Sequence, residues 1–344
     1  MTTRRAVIRG IAQAGFAGAF GTGLVTRGWA QSGPMKPLTI AIGGYTFAYL
    51  PLLVATAAGF MKAEGLEVSL VDTGSGTNSM AAMLGGSADV TGLVMSDVIL
   101  AVAKGQKINA FAPLMSQYAS DAVISTKAAE KVGLKLHMPL RERMARMKGL
   151  TLGISGRGSG TDKIWRYILS LGGLDPDKDV TLTVIKLDQM YTALRAGQID
   201  GFNTTAPANN RAVEDGIAVW AARPSHGEVP GIENFLYTVL CARPDYLEKN
   251  GETAAALVRG MTKGAELIRS DPAAAGQSLH NSYFQKTSVD LLKNTVRDQC
   301  ETVSVPPTLS QAQFQHNIEF ELKFSQDVKG VTYQQAINPR WLPF

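Results

Sequence analysis

The residues best suited to hold a ligand are Ser155-Gly156-Arg157-Gly158-Ser159-Gly160-Thr161. Gly158 and Gly160 let the backbone approach a bound group closely, and Ser159 and Thr161 are good caps for the helix that follows. The first N–H groups of such a helix lack intrahelical partners and favour an anion, to which Arg157 would add a charged fork. The blander reading is a capped loop with an arginine in solvent. Two further loops, Gly43-Gly44-Tyr45-Thr46-Phe47 and Thr73-Gly74-Ser75-Gly76-Thr77-Asn78, are equally small and polar, with a second helix start at Thr77-Asn78. Met95-Ser96-Asp97 and Asn203-Thr204-Thr205 each follow a short apolar strand. Tyr45 and Phe47 are the aromatics predicted to face a ligand, whereas Trp165 falls at a helical core position.

Other chemistries fail on spacing. A phosphate-binding P-loop needs Lys-Ser/Thr after its last glycine, but Gly160 is followed by Thr161-Asp162. A dinucleotide turn needs Gly-x-Gly-x-x-Gly, but the glycines fall at 156, 158 and 160, and the candidate ribose-binding acid, Asp188, comes late. A nucleotide-cofactor oxidoreductase is therefore a weak alternative. The four histidines, His137, His226, His280 and His316, have no ligand-like spacing, and neither Gly-x-Ser-x-Gly nor His-Glu-x-x-His occurs. Cys241 and Cys300 belong to no metal or redox motif, and both a disulfide and two buried thiols stay open. No catalytic residue, cofactor or metal is predicted.

The elements that position these loops show in a repeated phrase. Residues 82–90 read Ala-Met-Leu-Gly-Gly-Ser-Ala-Asp-Val, and 193–201 read Ala-Leu-Arg-Ala-Gly-Gln-Ile-Asp-Gly. Gly86 and Gly197 stand where a helix would end in a left-handed turn, and Asp89 and Asp200 open the next strand. Strand, small polar loop and helix alternate before each phrase, with strands at 38–42, 66–71, 110–114, 122–125, 150–154 and 180–185. A helix is expected over 49–61, and from Pro244 onward the chain reads as helices. The last of these carries a capping box at Ser310 and Gln313. Such alternation implies parallel sheets whose loops gather at the carboxyl ends of the strands, where ligands bind. Two lobes with a ligand between them follow.

The first thirty residues read as an export signal: Arg4-Arg5, a Gly/Ala-rich stretch at 10–25, then Gly28-Trp29-Ala30 as the cleavage site. Four of the 34 basic residues lie there and none of the 29 acidic ones, so the net +5 of the chain falls to +1 after cleavage. The charge gives no support for binding nucleic acid or membrane. No cysteine follows the signal to carry a lipid anchor, and a freely soluble periplasmic protein is expected.

The chain resembles the solute-binding proteins of ABC importers for nitrate, sulfonates and taurine, which share a fold with thiamine-pyrimidine precursor proteins. The resemblance rests on Pro51-Leu52-Leu53-Val54-Ala55, Gly59-Phe60-Met61, Glu64-Gly65-Leu66, Gly86-Ser87-Ala88-Asp89-Val90 and Lys148-Gly149-Leu150-Thr151-Leu152-Gly153. It continues through 173–180 and 193–200. It implies an α/β, two-lobed periplasmic binding protein fold of type II, each lobe a parallel-dominated sheet flanked by helices, with the ligand cleft between lobes. The expected division is 1–30 signal, 31–124 and 236–344 first lobe with C-terminal helices, and 125–235 second lobe, joined near Ser125 and Phe235. The family's ligand positions map onto Tyr45, Thr46, Thr77, Ser96, Ser159, Thr161 and Asn203. With Phe47 and Arg157 these form a donor-rich set, and Asp97 is expected to point away. The implied function is capture of a small organic anion, a sulfonate or carboxylate, by hinge closure, and delivery to a membrane permease by a monomer. A pyrimidine-precursor binding protein or synthase-like enzyme is the alternative, weakened by the absence of cysteine- and histidine-rich motifs.

Overall fold

A computed structural model describes residues 34–343, so the expected signal and its cleavage site after Ala30 lie outside the described residues. Two five-stranded sheets organise it. The first holds β1 (Lys36–Ile42), β2 (Leu66–Asp72), β3 (Val90–Val94), β4 (Asn109–Met115) and β10 (Thr238–Ala242), in the order β2-β1-β3-β10-β4. The second holds β5 (Asp121–Ser125), β6 (Thr151–Ile154), β7 (Thr181–Val184), β8 (Gly201–Thr204) and β9 (Ala218–Ala222), in the order β7-β6-β8-β5-β9.

The two sheets share one plan. β1 pairs parallel with β2 and β3, as β6 does with β7 and β8. β10 is antiparallel to both its neighbours, β3 and β4, and β5 is antiparallel to β8 and β9. Each sheet is thus mixed but parallel-dominated, with four strands in one direction and a single reversed strand, β10 or β5, and the reason for that reversal is topological. A chain crossing from the other lobe arrives at the carboxyl edge of the parallel strands and can only run back against them. β5 belongs wholly to the second sheet, so the first crossing falls at 116–120, ahead of the boundary expected at Ser125. The second crossing spans 223–237. The crossings are tied to each other and to β5 where Gln117 Nε2 donates to the Ser225 carbonyl (3.2 Å) and Ser225 Oγ donates to Asp121 (2.6 Å).

The repeated phrase works as a stitch. Gly86 and Gly197 take φ values of +82° and +69°, the left-handed region that glycine enters at little cost. The following carboxylates then accept from the neighbouring parallel strand: Asp89 from Thr39 N within β1 (2.9 Å), and Asp200 from Thr151 N at the start of β6 (2.8 Å). Each aspartate's own N–H returns the bond to the same residue's carbonyl.

Several local expectations change. The helix over 49–61 is a 3-10 turn (Phe47–Tyr49), a helix (Leu50–Ala57) and a short second helix (Phe60–Ala63), divided where Gly59 takes φ 81°. Ser310 caps no backbone group of the helix Gln311–Glu321, and Gln313 instead donates to the Ser116 carbonyl at 3.1 Å, a tertiary acceptor that outcompetes the capping box. Cys241 and Cys300 are both free thiols. Among the described residues no helix is long and apolar enough to cross a membrane.

Candidate functional site

The loops at the carboxyl ends of the strands meet between the two sheets and enclose a cavity of about 50 Å³. Two helices point their first turns into it, the nine-residue helix Gly76–Leu84 from the first lobe and the twelve-residue helix Gly160–Leu171 from the second. Each is capped by a serine, Ser75 or Ser159, whose side chain accepts the N–H three residues on, leaving the N–H groups of Gly76 and Gly160 without an intrahelical partner. Gly160 also allows close contact between lobes, because a Cβ there would stand 3.1 Å from Val94 Cγ2 and push that methyl back by a few tenths of an ångström.

Hydroxyl groups make up most of the remaining wall. Thr46, Tyr49 and Thr205 each accept a backbone N–H: Ala48 N for Thr46 (3.4 Å) and Thr205 (2.9 Å), Gly43 N for Tyr49 (3.0 Å). A hydroxyl oxygen that accepts in this way has its hydrogen left for a ligand. Burial pushes the Tyr49 phenol up to about 12, so it stays a neutral donor. Its ring fits because β3 has glycine opposite: a Cβ on Gly92 would stand 2.5 Å from Tyr49 Cε1. The Ala48–Thr205 bond, and Phe47 N donating to the Ala206 carbonyl (2.7 Å), hold the two lobes in contact.

One acid lines the cavity. Asp97, expected to point away, is on its wall, and its Oδ1 lies 3.2 Å from Lys163 Nζ. Lys163, from the second lobe and 5% exposed, also reaches Glu321 Oε2 at 2.9 Å. Asp97 and Glu321 belong to the first lobe's helices Met95–Ala103 and Gln311–Glu321, so a buried ion triad spans the interface. Burial alone would lower the Lys163 pKa, but two carboxylates against one ammonium hold it above the usual lysine value. At Glu321, which has that single cation, burial prevails over attraction and raises the carboxyl.

Of the nine residues singled out in the sequence, Thr46, Ser159 and Thr161 line this cavity. Ser159 is already committed, donating to the Gly156 carbonyl (2.7 Å) while it caps the helix. Asn203 is fully buried behind the wall, where its Nδ2 donates to the Thr161 carbonyl (2.8 Å) and its Oδ1 accepts from Ser120 (3.0 Å). Ser96 is buried at the start of the helix Met95–Ala103, and Thr77 is exposed one residue past the lining Gly76. Phe47 sits in the core, edge-on to Phe284 at 6.1 Å, because the chain turns there into a 3-10 helix that faces inward. Arg157 turns away to donate to the Leu182 carbonyl (3.0 Å), since Gly158 at φ +73° reverses the loop before the helix begins. Tyr45 borders a separate outer groove that shares Thr46 and Leu187 with the cavity.

Sequence reasoning missed Tyr49, Lys163 and Glu321, aimed Asp97 the wrong way, and marked the loop of Thr205 without singling that residue out. One signal was available, because Gly-Ser-Gly-Thr occurs at 74–77 and again at 158–161, at both helix starts. No pattern joins Lys163 to Glu321, which are 158 positions apart.

The chain is 24% identical over 316 residues to YtlA of Bacillus subtilis (strain 168), covering 90% of this chain and 89% of that protein. It is 27% identical over 289 residues to the bicarbonate-binding protein CmpA of Synechococcus elongatus, covering 78% of this chain but only 63% of CmpA. Among solved structures, a Bordetella bronchiseptica RB50 protein superposes with a TM-score of 0.78 at 25% identity, over 89% of this chain and 95% of that one. The alkanesulfonate-binding protein SsuA of Xanthomonas axonopodis pv. citri, bound to MOPS, has a TM-score of 0.67 at 17% identity over 90% and 94%. These likenesses carry the two-lobed periplasmic binding protein fold. The model of the NMT1-like family matches residues 32–279, a span that contains both sheets, and the chain belongs to the NMT1-like family.

Proposed function

We propose that this protein is the exported substrate-binding component of an ABC importer, capturing a small organic anion between its lobes and handing it to a permease. The observation that carries the reading is the convergence of two helix starts and the donor hydroxyls of Thr46, Tyr49 and Thr205 on one interlobe cavity. Such a set offers hydrogen-bond donors and positive dipole ends to a carboxylate or sulfonate without a cationic side chain in the wall. The charge of Asp97, the acid there, is directed to Lys163. At about 10–15 Å³ of such volume per water-sized group, the cavity takes roughly four non-hydrogen atoms, the size of an acidic head group.

Thr46→Ala is the cleanest test, since Ala48 N keeps its 2.9 Å bond to Thr205 and only a donor to the ligand is lost. A hydrogen bond to a charged group is worth about 1.5–3 kcal/mol, so the variant should bind anions at least about tenfold more weakly in titration calorimetry. Equal affinity in wild type and variant for every carboxylate and sulfonate tried would refute the placement. One observation favours a second reading, a neutral aminopyrimidine: Lys163 engages one oxygen of Asp97, and the other can accept from an amino group. Binding of the aminopyrimidine alone in the same titrations would select it.

A further inference from the structure

Thr46 and Leu187, which line the cavity, also line a wider groove of about 460 Å³ next to it. On the first-lobe side Tyr45 and Tyr283 stack, with ring centroids 5.1 Å apart and planes 26° from parallel. On the second-lobe side the Arg211 guanidinium lies 4.4 Å from the centroid of the Tyr191 ring. Arg211 pairs only loosely with Asp215, at 3.6 Å, and Asp215 already accepts from the Tyr191 hydroxyl. Lys286, exposed on the groove lining, has no acidic partner among the described residues. Asp188 is the single acid on that lining.

We propose that this groove is a second subsite, which takes the aromatic body and far acidic group of a two-ended ligand whose first acidic group occupies the cavity. The ligand class is an aromatic dicarboxylate or its sulfonate counterpart. The inference rests on the anion reading above and extends it. A cavity with room for roughly four non-hydrogen atoms holds a carboxylate and little more, so any ring attached to it emerges between Thr46 and Leu187. Three tyrosines, Tyr45, Tyr191 and Tyr283, line that groove, and aromatic side chains pack well against a flat ring. On the same lining stands the Arg211 guanidinium, over the Tyr191 ring, whose planar set of N–H donors matches a carboxylate in a way a lysine alone does not. A one-ended acid would leave Lys286 unmatched and Arg211 with only its loose pair to Asp215.

Titration calorimetry on the exported protein decides this, using bicarbonate, benzoate and the three benzenedicarboxylate isomers as probes. In the wild type at least one dicarboxylate should bind about tenfold or more tightly than benzoate, because its second charge gains a charge-assisted bond. In Arg211→Gln that ratio should fall close to one, and in Lys286→Gln, a surface change that leaves folding intact, it should fall part of the way. Equal affinity for benzoate and every dicarboxylate, or a ratio that survives Arg211→Gln, overturns the subsite. Binding of bicarbonate with no aromatic acid overturns it too but leaves the anion reading standing, whereas binding of neither sinks both.

Discussion

Lys163 decides more than its position on an ordinary helix suggests. It is the cation that holds Asp97 and Glu321, and all three are withdrawn from water at the lobe interface. Removing the single cation of this buried group leaves its two carboxylates uncompensated and costs roughly 3–5 kcal/mol. Lys163→Met should therefore lower the melting temperature sharply, and Lys163→Met with Glu321→Gln should recover part of the loss in thermal unfolding. The pH dependence follows from Glu321, whose carboxyl burial raises above 4.5. The folded state then binds this proton more tightly than the unfolded chain. The resulting stability is fully present below about pH 4.5 and is lost as pH rises through the folded value. Lys163, also raised, works in the same direction but only above the usual lysine range, beyond 10.5. Glu321→Gln mimics the protonated acid, so it should melt above wild type at pH 7 and lose that advantage by pH 4. A wild type that melts higher throughout would show that attraction to Lys163 outweighs burial.

At the scale of elements, the two halves of the repeated phrase do one job in two places. Asp89 and Asp200 each join the start of one strand, β3 or β8, to its parallel neighbour, β1 or β6, through a carboxylate–amide bond of 2.9 and 2.8 Å. The strand ends they align carry the ligand loops at their other edge, so these aspartates act on the site only through the sheets. Asp89→Ala and Asp200→Ala should each destabilise by about 1.5–3 kcal/mol in denaturant unfolding, with the asparagine variants milder because an acceptor oxygen remains. Ligand affinity should stay at the wild-type value in both. A loss of affinity without loss of stability would place the aspartates in binding instead.

For the whole molecule, the two crossings at 116–120 and 223–237 are the only covalent links between the sheets among the described residues, and the cavity lies between the lobes they join. The proposed motion is rotation of one lobe against the other about these links. Small-angle scattering should give a smaller radius of gyration when a binding anion identified by calorimetry is at saturation, and an unchanged profile would argue for a preformed cleft. Export is the companion prediction. With Gly28-Trp29-Ala30 as the cleavage site, sequencing of the periplasmic protein should begin at Gln31, and retention of Met1 would defeat it.

Local order was legible because it repeats locally. Strand, polar loop and helix recur at short range, and turn glycines and capping serines act on residues two to four positions away, so two α/β lobes and the Ser159 helix start can be read from the chain itself. Direction within the sheets could not be read that way. Whether β5 and β10 run with or against their neighbours depends on which edge the chain crosses from. The site divided along the same line. Thr46, Ser159 and Thr161 sit in loops whose composition announces them, whereas Phe47 and Arg157 look alike in type but are turned into the core or back along a strand by a single backbone turn. The charge of the cavity wall was decided by tertiary structure alone. Asp97, Lys163 and Glu321 come from three helices far apart in sequence, and only the packing of the two lobes brings these charges together at one buried interface.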